Sequence, residues 1–346
     1  MKYTIGEQKA NTMASLPFFS PPDQTKLVGI ARMAADGESL REGHNVEYFT
    51  LPARSLLNRC TGVRMPFTWT INPYRGCEFA CKYCYARYTH EFMEMRDGVD
   101  FERKIYVKQH AADLLRRDLR KVKPGEEIAL GTATDPYQPA ERRYEVTRAI
   151  LEEMSRHRGL EVGIVTKSTL ILRDAELLSE LARNNQLFVN ITITTLDADR
   201  ARILEPRAPR PDLRMDVVRK LNLAGVAAGV ICAPVLPGIT DAPKDLEAVV
   251  KATAEAGGKY IFANPLFLKP CSAAVFLPFL EMEFPQLVET YRKRFESRSF
   301  LSSSYRKRIS ELMATLRRKY KIVNSYERYS KKSHPALQTD DQMPLF

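Results

Sequence analysis

The deciding stretch reads Phe67-Thr68-Trp69-Thr70-Ile71-Asn72-Pro73-Tyr74-Arg75-Gly76-Cys77-Glu78-Phe79-Ala80-Cys81-Lys82-Tyr83-Cys84-Tyr85. A buried-strand pattern, Phe67 to Asn72, opens it. Cys77, Cys81 and Cys84 follow in C-x3-C-x2-C spacing. Three thiolates set so close can ligate three irons of a [4Fe–4S] cubane, leaving the fourth iron to an outside ligand. Gly76 lets the chain turn tightly toward such a cluster. The competing reading is a structural zinc site. Zinc takes four ligands, usually in paired C-x2-C units, and His90 is the only close candidate for the fourth.

Outward from this loop, apolar runs alternate with helical patterns. Strands are expected at 67–72, 127–133, 161–166, 187–194, 226–234 and 259–266, and helices near 79–96, 142–157, 173–184, 211–223 and 243–256. Asp174 and Asp212 stand where helix caps would. Continuous apolar strands separated by helices predict a parallel sheet. Six such repeats predict an α/β fold, a partial (β/α)6 TIM-like barrel. The expected division is an N-terminal extension (1–64), a core barrel (65–280), a basic helical segment (281–332) with helices at 282–296 and 304–320, and a disordered tail (333–346).

The loop with its Tyr83-Cys84-Tyr85 resembles the cluster loop of the radical S-adenosylmethionine (SAM) superfamily. Residues 66–270 as a block resemble the spore photoproduct lyase branch. The later strand ends that carry this likeness are Gly131 to Pro139, Val165 to Ser168, Thr192 to Asp197 and Ala233 to Gly238. The resemblance implies a [4Fe–4S] cluster on Cys77, Cys81 and Cys84, SAM on the open iron, and an external electron donor. Reduction would break a C–S bond of SAM and give a 5′-deoxyadenosyl radical. By matched position, Thr134 would contact the methionine end, Lys167 its carboxylate, and Thr194 or Thr195 the sugar or carboxylate. Tyr83 and Tyr85 would relay a hydrogen atom or pack around the cluster. One departure stands out. The branch places a hydrogen-donating cysteine after the second strand, where this chain has Thr132. Repair of spore photoproduct itself is therefore not expected. Cys232, in the fifth strand, reads as a buried thiol or one facing the barrel interior. Asp135 and Glu141 read as substrate contacts or as ordinary loop charges.

The chain has 346 residues, 44% of them hydrophobic, with a formal charge of +11. Residues 291–332 hold fourteen Lys and Arg against Glu296, Glu311 and Glu327, which accounts for that whole excess. Such asymmetry points to an acidic partner, most often nucleic acid. Tyr291, Phe295, Phe300, Tyr305, Tyr320, Tyr326 and Tyr329 are interleaved with it, either to stack on bases or to dock the segment on the barrel. The terminal Gln342-Met343-Pro344-Leu345-Phe346 resembles peptides that dock proteins on the replicative sliding clamp, through Gln342, Leu345 and Phe346. No run of eighteen apolar residues and no secretory core are present, so a cytoplasmic protein without membrane contact is expected. Its cysteines should then be thiols or metal ligands.

The expected function is a radical SAM enzyme acting on nucleic acid, in DNA repair or base modification. The alternatives are the same chemistry on a peptide or small metabolite, and a non-catalytic iron–sulfur or zinc module associated with DNA.

Overall fold

The computed structural model describes residues 27–43, 45–60 and 65–324. Its strands in chain order are β1 (Ser39–Gly43), β2 (Val46–Leu51), β3 (Leu57–Arg59), β4 (Trp69–Ile71), β5 (Tyr74–Arg75), β6 (Lys104–Lys108), β7 (Glu127–Leu130), β8 (Glu161–Thr166), β9 (Gln186–Thr192), β10 (Ala227–Val235) and β11 (Ile261–Pro265). The six apolar runs become β4, β7, β8, β9, β10 and β11. They form the parallel part of a seven-stranded sheet ordered β11-β10-β9-β8-β7-β4-β3, with β3 antiparallel at the edge. The expected six-unit α/β barrel is the fold observed. Ile71, Leu130, Ile164, Ile191 and Val230 are fully buried in its core. Each contributes about 2 kcal/mol by leaving water.

Three helices follow the expected bounds closely: Ala175–Asn184, Pro211–Leu223 and Pro243–Glu255. The pattern at 142–157 is split into Glu141–Tyr144 and Val146–Ser155, with Glu145 left-handed between them (φ 50°). The helix expected over 79–96 does not form. Turns, a 3-10 turn (Tyr85–Arg87) and a single helical turn (Tyr88–Glu91) replace it. Ala80 sits at φ 56°, which no right-handed helix tolerates. Asp174 precedes its helix but does not cap it, because its carboxylate takes Arg148 (2.6 Å) and Arg173 (2.8 Å). Asp212 lies inside its helix, which starts at Pro211.

Part of the stretch read as an aperiodic extension joins both sheets. β3 extends the main sheet. β1 and β2 build a second sheet, ordered β1-β2-β6-β5. These strands are too short for their alternation to register as a period. At the other end, helices Pro270–Glu283 and Val288–Phe295 replace the one expected at 282–296, with Pro285 in the break. The helix Ser303–Lys319 matches its expected span, and Ser302 Oγ caps it by accepting from Tyr305 N–H (3.3 Å). Beyond it, Ile261 N–H donates to Val323 O (3.1 Å), which covers the β11 edge. Among the described residues no helix is long and apolar enough to cross a membrane. The tail and its clamp-like peptide lie outside the described residues.

The parallel register sets Glu127 beside Glu161 at the start of β7 and β8. Burial, and then the Glu161 charge, pushes the Glu127 carboxyl up to about 8. The folded protein thus binds a proton that the unfolded chain releases near pH 4.5. Stability should fall as pH rises from that value through about 8. Glu127→Gln should flatten this slope in denaturant titrations at stepped pH; an unchanged slope would refute the assignment.

Candidate active site

The cysteine loop leaves β4 at its carboxyl end, the end at which barrel enzymes place their chemistry. Asn72 ties it to the next strand end. Its Oδ1 accepts from Ala133 N–H (2.7 Å), and its Nδ2 donates to Thr132 Oγ1 (3.2 Å). Gly76 has φ +83°, and a Cβ there would lie 2.7 Å from Lys104 O and 2.8 Å from Phe101 O. Only glycine fits. Its carbonyl accepts from Thr134 Oγ1 (2.6 Å) and Gln138 Nε2 (3.1 Å). Buried Glu78 accepts from Tyr48 Oη (2.9 Å) and Ala140 N–H (2.8 Å). The loop is therefore held from three sides before any ligand arrives.

Cys81 is buried, and Cys77 and Cys84 are partly so. Burial, with Asp135 and the other two thiols adding repulsion, pushes Cys77 well above the ordinary thiol value. Burial pushes Cys81 up to about 12. Left alone, such thiols stay protonated. A cationic iron centre reverses that balance and takes them as thiolates. Among the described residues, no three Cys, His, Asp or Glu converge as ligands of a single ion. His90 is not the fourth ligand of a zinc site. Its Nε2–H donates to Lys104 O (3.1 Å), and its ring packs on Phe101 and Tyr106. Burial lowers it to about 4, so it is neutral. Three thiols coupled to one another, without a fourth side chain, fit a cubane with an open corner.

Against Cys81 lies a buried polar network that sequence reasoning missed in part. Glu205 follows the helix Ala198–Leu204 and ion-pairs with Arg214. Arg214 also donates to Thr192 O (3.0 Å) and Pro209 O (2.6 Å). Tyr83 Oη and Thr194 Oγ1 (3.2 Å) both donate to Glu205. Burial opposes charge on Glu205, but Arg214 and Lys167 hold it below the ordinary carboxylate value. Lys167 Nζ stands 5.8 Å from the Tyr83 ring centroid. Burial opposes its charge too, yet Cys81 and Glu205 raise it above the ordinary lysine value. Cys232 Sγ lies 3.8 Å from Thr194 O and is fully buried. The fold therefore gathers Tyr83, Lys167 and Thr194 around Glu205. Neither Glu205 nor Arg214 has a local sequence signature; only their meeting across the fold marks them.

The remaining expected residues divide by what their polar atoms already hold. Thr134 grips Gly76, so its hydroxyl is spent on the loop. Asp135 accepts from Thr166 Oγ1 (2.6 Å), Lys167 N–H (2.8 Å) and Tyr137 N–H (2.9 Å), which makes it a brace. Glu141 is likewise committed, to Arg173 (2.8 Å), Tyr74 Oη (2.5 Å) and Thr147 N–H (2.8 Å). Thr195 Oγ1 accepts from Asp197 N–H (3.1 Å) and keeps its proton to donate. Tyr85 Oη donates to Thr132 O, the strand end where the branch carries its hydrogen donor.

The basic segment turns Tyr291, Tyr305 and Tyr320 toward the barrel, while Phe300 is exposed. Tyr291 is fully buried and donates to Pro237 O (2.8 Å). Tyr305 donates to Asp241 (2.9 Å) and Tyr320 to Glu247 (2.8 Å). Arg292, Lys293, Arg298, Lys307, Arg318 and Lys319 are exposed. A cavity of about 610 Å³ beside this segment is lined by Leu268, Leu277, Tyr291 and Phe295, with Arg292 and Arg298 at its rim. None of its lining residues belongs to the strand-end network.

A cysteine loop with an open-corner donor set, at the carboxyl end of a parallel barrel, defines an iron–sulfur enzyme of the SAM-cleaving type. The Radical SAM superfamily description matches residues 71–251, and the chain belongs to that family. An uncharacterized protein of Mycobacterium tuberculosis is 32% identical over 321 residues, 92% of this chain and 94% of the relative. Another, from Methanocaldococcus jannaschii, is 26% identical over 251 residues, 72% of this chain and 86% of the relative. Among solved structures, a spore photoproduct lyase variant with bound AdoMet and dinucleoside spore photoproduct shares the fold. Its TM-score is 0.59 at 14% identity, over 87% of this chain and 86% of that one.

Proposed function

We propose that this radical SAM enzyme holds a [4Fe–4S] cluster on Cys77, Cys81 and Cys84, binds SAM beside Lys167, and repairs or modifies a base in nucleic acid. When bound, the cluster supplies the electron that splits SAM. The chain's residues do the rest. Lys167 offers a buried ammonium to the SAM carboxylate. Thr195 offers a hydroxyl proton beside it. Glu205 and Arg214 fix Tyr83 and hold Lys167 charged. Thr134, Asp135 and Gln138 keep the loop and the strand ends in register. The Tyr85 hydroxyl passes a hydrogen atom where the branch uses a thiol, a role supported by its hydrogen bond to Thr132 O. The apolar walls of Leu236, Leu266 and Phe79 keep water from the reacting centre.

The observation that carries the nucleic-acid reading is the C-terminal segment, with Tyr291, Tyr305 and Tyr320 docked on the barrel and its cations left outward. Cations at that density neutralise phosphates. The likeness to a fold that holds a dinucleoside lesion supports it. Fluorescence anisotropy with labelled oligonucleotides tests it. The triple variant Lys293→Gln, Arg298→Gln, Arg318→Gln should lessen the slope of log K against log salt by about two to three. A slope unaltered by these changes, or absent in the parent, transfers the reading to a peptide or small-metabolite substrate.

A further inference from the structure

Arg75, half-buried, and Lys108, buried, form a cation pair that the chemistry above does not use. β5 and β6 are antiparallel, with Arg75 opposite Tyr106. Cross-strand partners share a face, as do residues two apart on one strand. Arg75, Tyr106 and Lys108 therefore share one face of the second sheet. The opposite face carries Tyr74, Ile105 and Val107 into the main core. On the cation face, Tyr106 packs with Leu51 and Met93, so the surroundings are apolar.

Lys108 is 7% exposed, and among the described residues its ammonium has no hydrogen-bond acceptor or carboxylate partner. Arg75 also lacks a carboxylate. One guanidinium nitrogen donates weakly to Thr89 O (3.4 Å), and its Nε is buried without any acceptor. The charged groups nearby offer no remedy. Arg87 is paired with Glu102, Lys104 with Asp100, and His90 is neutral. Tyr88, against Arg75, carries the Lys269 ammonium 3.7 Å from its ring centroid. Burying two cations together without an anion costs several kcal/mol. Burial, and then Arg75, drives Lys108 down to about 7. A lysine so placed either gives up its proton near neutral pH or takes an anion that keeps it charged.

We propose that Arg75 and Lys108 form an anion site for a phosphate group of the substrate, next to the cluster loop. The guanidinium fork matches two phosphate oxygens, and the ammonium takes a third as a point charge. Two cations match a phosphate better than a carboxylate, which would leave one charge over. Arg75 lies two residues before Cys77, so a phosphate held there lies within a nucleotide's reach of the cluster loop. The site does not depend on the nucleic-acid reading, because any phosphorylated substrate satisfies it.

The test uses the full-length, anaerobically reconstituted protein and thermal unfolding with inorganic phosphate, pyrophosphate, or a 5′-phosphorylated trinucleotide and its unphosphorylated twin. Lys108→Met removes the buried charge at similar volume, and a fold intact or stabilised is expected. Phosphate or pyrophosphate should raise the melting temperature of the parent, and Lys108→Met should weaken the affinity at least tenfold. Lys251→Gln, on the outer helix Pro243–Glu255, should leave it unchanged. Equal shifts in the parent and Lys108→Met overturn the site, as does no shift in the parent. Loss of the phosphate shift when SAM is added also overturns it, since the pair would then serve the cofactor's carboxylate. A trinucleotide preferred for its terminal phosphate assigns the source to nucleic acid. Preference for pyrophosphate, with neither trinucleotide bound, keeps the site and removes the nucleic-acid reading alone.

Discussion

Cys81→Ser should yield a folded protein that cannot hold an intact cluster. Reconstituted with iron and sulfide, it should carry well below the roughly four irons per chain of a cubane. It should form no 5′-deoxyadenosine above background when given dithionite and SAM. The physical reason lies in the loop. In the proposed site each thiolate would ligate a different iron, and among the described residues no further Cys or His joins the three as a metal ligand. His90 is occupied by Lys104 O and two aromatic rings. A serine hydroxyl is a far poorer iron ligand than a thiolate, so loss of one corner leaves the cluster labile. Cys60→Ser provides the control. Cys60 lies outside the loop and is partly exposed, and its loss should leave iron content and SAM cleavage as in the parent. Full iron loading of Cys81→Ser together with parental 5′-deoxyadenosine yield would end the assignment of this loop.

The parallel barrel was legible because each central strand is buried on both faces and reads as a continuous apolar run. Glu161–Thr166 is the clearest case, predicted and observed over the same residues. The helix expected at 79–96 failed for an informative reason. The spacing of Cys77, Cys81 and Cys84 is also one face of a helix, and only the left-handed residues at Gly76 and Ala80 turn it into a loop. The second sheet was hidden because β1 and β2 form a short hairpin, whereas β2 and β5 reach β6 only across long stretches of sequence. β6, Lys104 to Lys108, carries a charge at each end of three apolar residues and gives no period. The three cysteines proposed as cluster ligands are local in sequence, so their spacing alone could suggest them. Glu205, just past one helix, and Arg214, within the next, lie nine residues apart, and their meaning appears only when Tyr83, 122 residues before Glu205, donates to that carboxylate. The aromatic residues of the C-terminal segment admitted both stacking and docking until Asp241 and Glu247 were seen to hold Tyr305 and Tyr320.

Glu205→Gln should destabilise the apoprotein by about 3–5 kcal/mol, the cost typical of removing one partner from a buried ion pair. Arg214 is 1% exposed and Glu205 equally buried, so no water replaces the lost charge. The amide keeps the shape and can still accept from Tyr83 and Thr194. What it loses is the negative charge that balances Arg214 and Lys167. Two consequences separate this from a simple packing defect. Glu205→Gln with Arg214→Met should recover much of the stability, because the second change removes the stranded cation. The folded fraction of Glu205→Gln should also bind SAM more weakly, since Lys167 loses one of the three groups, Cys81, Glu205 and Asp135, that raise its proton affinity. Raising the pH should then weaken SAM binding sooner in the variant than in the parent, as its lysine gives up a proton at lower pH. Urea unfolding of the three proteins and SAM titration at stepped pH decide the matter. A loss under about 1 kcal/mol would show that Glu205 carries no essential charge. A double variant no more stable than the single one would show that Arg214 is not the group left stranded.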